Sequence, residues 1–138
     1  MIDNDLRRSL SEMQAALFEM SGAEGYNSET FIRVFMNSKI AEGLDSDFDF
    51  TQWAGKEYIM ERMKEEYPEG FSGQGIVFDS ETLHWAGYLY RYWHFYTGES
   101  SRQIYRQADA QTVNTMYYGY HTLDIEMAID RLKEAKQR

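Results

Sequence analysis

Between residues 84 and 96 the chain reads His84-Trp85-Ala86-Gly87-Tyr88-Leu89-Tyr90-Arg91-Tyr92-Trp93-His94-Phe95-Tyr96. Seven of these thirteen residues are aromatic: Trp85, Tyr88, Tyr90, Tyr92, Trp93, Phe95 and Tyr96. Asp79-Ser80-Glu81 supplies helix-start chemistry before them, and Gly98 supplies a stop. The segment therefore predicts a helix over 80–97. Wound as a helix, the rings fall on all sides rather than along one stripe, and a helix apolar all round belongs at the centre of its domain. Leu83, Ala86, Tyr90 and Trp93 are expected among the most buried residues, with Leu10, Leu17, Phe31, Phe35, Ile129 and Leu132 packed around them.

The remaining pattern is helical as well. Leu6, Leu10, Met13, Leu17 and Met20 recur at steps of four and three, one stripe of a helix over 5–21. Ser28 reads as the N-cap of a helix over 28–42 carrying Phe31, Val34, Phe35 and Ile40. Residues 44–50 alternate apolar and acidic side chains and read as a loop or a scrap of strand, with Asp49 or Thr51 capping a third helix over 51–67. Pro68 ends that helix. Ile76-Val77-Phe78 is the one further place for a β-bridge. Ser100-Ser101-Arg102-Gln103 matches a capping box, Asp109 caps another short helix, and Thr122 or Asp124 opens a last one over 123–136. The expectation is an all-α single domain over 1–138, a compact bundle of six or seven helices around the aromatic one.

Composition excludes several functions. The chain has no cysteine, which removes disulfides, thiolate metal sites and thiol catalysis. No stretch reaches the ~20 apolar residues of a membrane span. Ile2 is followed by Asp3, Asn4 and Asp5, without the basic and apolar regions of a signal peptide. A cytoplasmic location is the expectation. The net charge is −9, and phosphate backbones need basic surfaces, so neither nucleic acid nor membrane is expected as a direct partner. Fifteen of the 23 acids lie in residues 1–70, which makes the first half the acidic half.

Candidate chemistry is sparse. Glu81-x-x-His84 has the spacing of half a carboxylate-bridged di-metal site, but His94 and His121 lack an acid three residues before them. Half a motif says little, and Glu81 in a first helical turn with a partly buried His84 is the expected account of the pair. His84 and His94 fall about 80° apart around a helix and are positioned to line neighbouring parts of one cleft. Ser100 and Ser101 sit where N-caps occur, without a nucleophile elbow. Gly73-Gln74-Gly75 lacks the lysine of a phosphate loop. No cofactor and no metal are therefore expected. A helical enzyme or metal protein using Glu81, His84 and His94 stands as an alternative.

Charge and aromatic layout point to binding. Asp45, Asp47, Asp49, Glu57, Glu61 and Glu65 form an acidic run, the last three at i, i+4 and i+8. Eleven tyrosines exceed what a core this size holds, and Tyr88, Tyr92 and Tyr96 share one helical face that reaches the surface. Rigid aromatic area beside acidic charge suits a protein partner. Expected occupants are a basic protein, a toxin or a second copy of the chain. An acidic inhibitor that mimics nucleic acid toward a basic target is the other reading.

Two stretches carry a resemblance: Phe31-Ile32-Arg33-Val34-Phe35-Met36-Asn37-Ser38, and Gly87 to Ser101 followed by Ile104-Tyr105. Over about residues 28–134 the chain resembles a family of small uncharacterised bacterial proteins associated with gene clusters of ADP-ribosyltransferase-type toxins and their antitoxins. The resemblance implies an antitoxin-like or toxin-accompanying role. It supplies no catalytic residues.

Overall fold

The computed structural model describes residues 4–46 and 54–137. Among them are eight α-helices, α1 (Asn4–Ala23), α2 (Ser28–Met36), α3 (Lys39–Asp45), α4 (Lys56–Glu66), α5 (Ser80–Thr97), α6 (Ser101–Gln107), α7 (Ala110–Tyr120) and α8 (Ile125–Gln137), with a 3-10 turn at Pro68–Phe71. The described residues contain no strand. The fold is all-α as the periodicity predicts, with eight helices where six or seven were expected.

The extra helix has a local cause. Ser38 interrupts the expected 28–42 helix: its Oγ accepts from Ala41 N at 3.1 Å and donates to Phe35 O at 2.6 Å. A side chain that bonds its own backbone in this way ends one helix and caps the next. Asn27, rather than Ser28, caps α2, accepting from Thr30 N at 3.2 Å. Ser28 is thereby free for Phe78 N at 2.9 Å, and its own N–H donates to Ile76 O at 3.1 Å. Residues 76–78 are thus tied to a helix start and pair with no strand. The expected third helix begins at Lys56 rather than at 51, after Gly55 in extended conformation. Asp47, Asp49, Thr51 and Trp53 lie outside the described residues.

The aromatic helix α5 is central. It packs most extensively on α1 and also touches α6, α7 and α8. At the α1–α5 crossing Gly87 lies so close to α1 that a Cβ there would stand 2.5 Å from Gln14 O and 2.7 Å from Ala15 Cα. Leu83, Ala86, Tyr90 and Trp93 are buried, as are Leu10, Leu17, Phe31, Phe35, Ile129 and Leu132. The core's aromatic hub is Phe18, which the stripe on α1 does not include. Its ring meets Phe31 at 6.0 Å, Phe35 at 5.7 Å and Tyr90 at 6.2 Å, all near edge-to-face, the arrangement aromatic quadrupoles favour.

Polar tips inside this core are satisfied. The Tyr90 hydroxyl donates to Ala108 O at 2.7 Å, and burial drives its pKa well up. Trp93 Nε1 donates to Glu99 at 2.9 Å. Arg91, fully buried, donates from Nε to Gln14 at 2.8 Å, from Nη1 to Asp45 at 2.6 Å and from Nη2 to Ser101 at 3.0 Å. This network joins α1, α3, α5 and α6.

Candidate functional site

One face of α5 presents Glu81, His84, Trp85 and Tyr88, at i, i+3, i+4 and i+7. This face forms one wall of an open cleft of about 380 Å³. Glu19 of α1 closes a second side, and Tyr117 and His121 at the end of α7 close the third.

The aromatic part of the cleft is built by stacking. Tyr117 and His121 are one helical turn apart, and their rings lie parallel at 4.4 Å. His121 Nδ1–H donates to Tyr117 O at 2.8 Å, which fixes the ring. Trp85 meets Tyr117 edge-on at 5.7 Å. Tyr88 continues the wall toward Tyr92, with which it stacks at 6.0 Å.

The polar part is two carboxylates. Glu19 accepts from Ser80 Oγ at 3.0 Å with one oxygen and from His84 Nδ1–H with the other. That contact leaves His84 Nε2 as the ring's second nitrogen. Glu81 accepts from the Tyr117 hydroxyl at 3.4 Å. Desolvation, and then the Glu81 charge, hold the Tyr117 phenol above its ordinary pKa.

The site residues expected from sequence divide into groups. Glu81 and His84 do share the cleft. His94 does not: ten residues further along α5 is about 15 Å of helix rise, and there His94 Nδ1 meets Glu99 O at 2.6 Å, 3.7 Å from Asp45. The two histidines therefore do not line one cleft. Asp45 is also absent from any exposed patch. Its carboxylate is 11 % exposed, bonded to Arg91 and to the backbone N–H of Ser101 at 2.9 Å. The burial of Arg91 draws it inward, since an unpaired interior charge is costly. Glu57, Glu61 and Glu65 are exposed along α4, Glu57 paired with Lys56 at 2.8 Å. Tyr88 and Tyr92 are half-buried, and Tyr96 is 39 % exposed. Tyr92 donates to Glu126 at 2.7 Å and Tyr96 to Asp130 at 2.9 Å, both on α8. The bond to Glu126 and burial push the Tyr92 phenol up to about 12.

Glu19, Trp85 and Tyr117 are site residues that sequence reasoning did not single out, and His121 enters it only as a histidine without an acid three residues before it. Trp85 had a signal, the helical spacing from Glu81. The others come from α1 and α7 and carry none.

No cluster of three or more His, Asp or Glu side chains suited to a metal ion occurs among the described residues, so Glu81 and His84 stand without the partners a di-metal site requires. No described helix is long and apolar enough to cross a membrane. The cleft's chemistry is instead that of aromatic faces beside anionic oxygens, which suits a cationic group. No protein-family model, curated protein or solved structure matches the chain.

Proposed function

We propose that the chain is an acidic protein-binding module, antitoxin-like in its role, whose cleft between α1, α5 and α7 receives a lysine or arginine side chain of a basic protein partner. One observation carries the reading: the Glu19 and Glu81 carboxylates border the same cleft as the Trp85 and Tyr117 rings. A cation over an aromatic face gains about 0.5–1 kcal/mol when exposed and about 2 when desolvated. The aromatic wall adds the rigid apolar area on which binding hot spots depend. The net charge of −9 and the exposed ridge of Glu57, Glu61 and Glu65 speed the encounter with a basic surface and add little affinity, because rim charges stay solvated.

The test begins with the partner recovered from the native host and identified by mass spectrometry. Affinity is then measured for the parent, Trp85→Ala and Glu19→Gln/Glu81→Gln chains across a salt series. The reading expects at least tenfold weaker binding for Trp85→Ala, at low and high salt alike. Full affinity in Trp85→Ala, with steep loss of binding as salt rises, would favour instead the acidic inhibitor that occupies a nucleic-acid groove.

The Glu19–His84 contact favours a second reading, general acid–base chemistry at His84 Nε2. Its weakness is local. Ser80 Oγ donates to Glu19 and not to His84, so the imidazole activates no hydroxyl, and His94 belongs to a separate network.

A further inference from the structure

On the other side of Tyr88 lies a larger cleft, about 590 Å³, of opposite character. Its cations are Arg7 and Arg8 from the first turns of α1. Its rings are Tyr88, Tyr92, Phe95 and Tyr96 of α5. Among the described residues that line it, the one acid is Glu126 of α8, held by the Tyr92 hydroxyl at 2.7 Å.

The arginines are the unusual element. In a chain with 23 acids, neither guanidinium forms an ion pair or side-chain hydrogen bond with a described residue. Arg7 lies over the Phe95 ring, 5.8 Å from its centroid, and its Nε is buried without a partner. A guanidinium beside a ring and without an anionic partner in the protein keeps its outer N–H groups for an oxyanion. Tyr88 and Tyr92 stack on each other within 13° of parallel, so they act as one rigid platform rather than as two mobile rings.

From these contacts we infer that the second cleft binds a nucleoside phosphate, with the phosphate between Arg7 and Arg8, the base against the tyrosine platform, and Glu126 accepting a hydrogen bond from a base N–H or a ribose hydroxyl. Each part selects one part of the ligand. Guanidiniums pair bidentately with phosphate oxygens, and a phosphate offers three such oxygens to two guanidiniums where a carboxylate offers two. The flat platform takes a π-face of any base. Glu126, whose carboxylate already accepts from Tyr92, favours a hydrogen-bond donor over a second acidic group at that end of the cleft, which disfavours an acidic peptide laid along its whole length. The volume lies in the range of small-molecule sites.

The experiment is calorimetric titration of the intact chain with ADP, adenosine, inorganic phosphate and a doubly phosphorylated peptide. Expected is saturable binding of ADP, about tenfold or more tighter than adenosine or phosphate alone. Arg7→Gln/Arg8→Gln should weaken ADP at least tenfold, to the level of adenosine, with an unchanged circular dichroism spectrum and melting temperature. Should that double variant fold poorly, Glu126→Gln supplies the second measurement: it keeps the Tyr92 acceptor and should change ADP affinity severalfold. Glu81→Gln, in the first cleft, should leave ADP binding unchanged. Phosphate binding as tightly as ADP, adenosine binding as tightly as ADP, preference for the phosphopeptide, or no saturable ADP binding would each overturn the assignment.

Discussion

The Arg91 guanidinium is wholly buried, and its bonds determine what nearby substitutions do. Burial pulls its pKa down, and the Asp45 charge opposes that fall. Removing the acid while keeping the arginine leaves an uncompensated interior charge, so Asp45→Ala should cost about 3–5 kcal/mol. Arg91→Met with Asp45→Leu should cost less than the two single substitutions summed, because neither charge is then stranded. Urea unfolding of the four proteins measures this. Glu99 gives a pH prediction. Burial raises its pKa, but hydrogen bonds from Lys133, Trp93, Gln107 and Thr97 outweigh burial and bring it down to about 2. A group depressed in the folded state stabilises above its unfolded pKa and loses that contribution as pH falls. Glu99 should therefore supply up to about 3 kcal/mol at neutral pH, lost between about pH 4.5 and pH 2. Glu99→Gln should flatten the fall in melting temperature across that window.

At the scale of elements, two glycines of α5 separate two kinds of constraint. Gly98 ends the helix at φ +80°, with nothing near its missing Cβ. Gly98→Ala meets only backbone strain and should cost about 1 kcal/mol. Gly87 has ordinary helical backbone, where alanine is the better helix former by about 1 kcal/mol. Its Cβ would nevertheless overlap the backbone of α1, which cannot move aside as a side-chain tip can. Gly87→Ala should thus destabilise by about 1–3 kcal/mol net, through separation of α1 from α5. Thermal melts should rank Gly87→Ala below Gly98→Ala, although local propensity alone ranks them in the reverse order.

For the molecule as a whole, core and charge act on different observables. Trp93 is fully buried, with Lys133 Nζ of α8 5.9 Å from its ring centroid. Trp93→Ala should cost about 3–5 kcal/mol, enough to unfold most of a domain of this size. Replacing Glu57, Glu61 and Glu65 by lysine should leave the fold intact, because all three are exposed. The same substitutions move the net charge from −9 to −3, and under the proposed function association with the basic partner should slow severalfold at low salt. The gap should close as salt rises. Unchanged association rates would leave the aromatic cleft as the sole contributor.

What the sequence determined is what depends on neighbours along the chain. Helix α5 begins and ends where Asp79 and Gly98 place it, the Ser100–Gln103 capping box forms in full, and Asp109 accepts from Thr112 N at 2.9 Å. Burial of Tyr90 and Trp93 follows from the number of rings one helix carries. The break at Ser38 was present in the sequence too, but a serine caps or not according to a few tenths of a kcal/mol of competing hydrogen bonds. The two clefts were not legible. Glu19 meets His84 across 65 residues and Tyr117 meets Glu81 across 36, and the side-chain types at those positions suit any helix surface. Asp45 makes the same point in reverse: its sequence neighbourhood is that of a solvated acid, and the buried guanidinium 46 residues away made it interior. Local pattern specifies which faces avoid water. Which charge meets which ring or carboxylate is decided by how the helices cross, and here that depends on the close approach of α1 to α5 at Gly87.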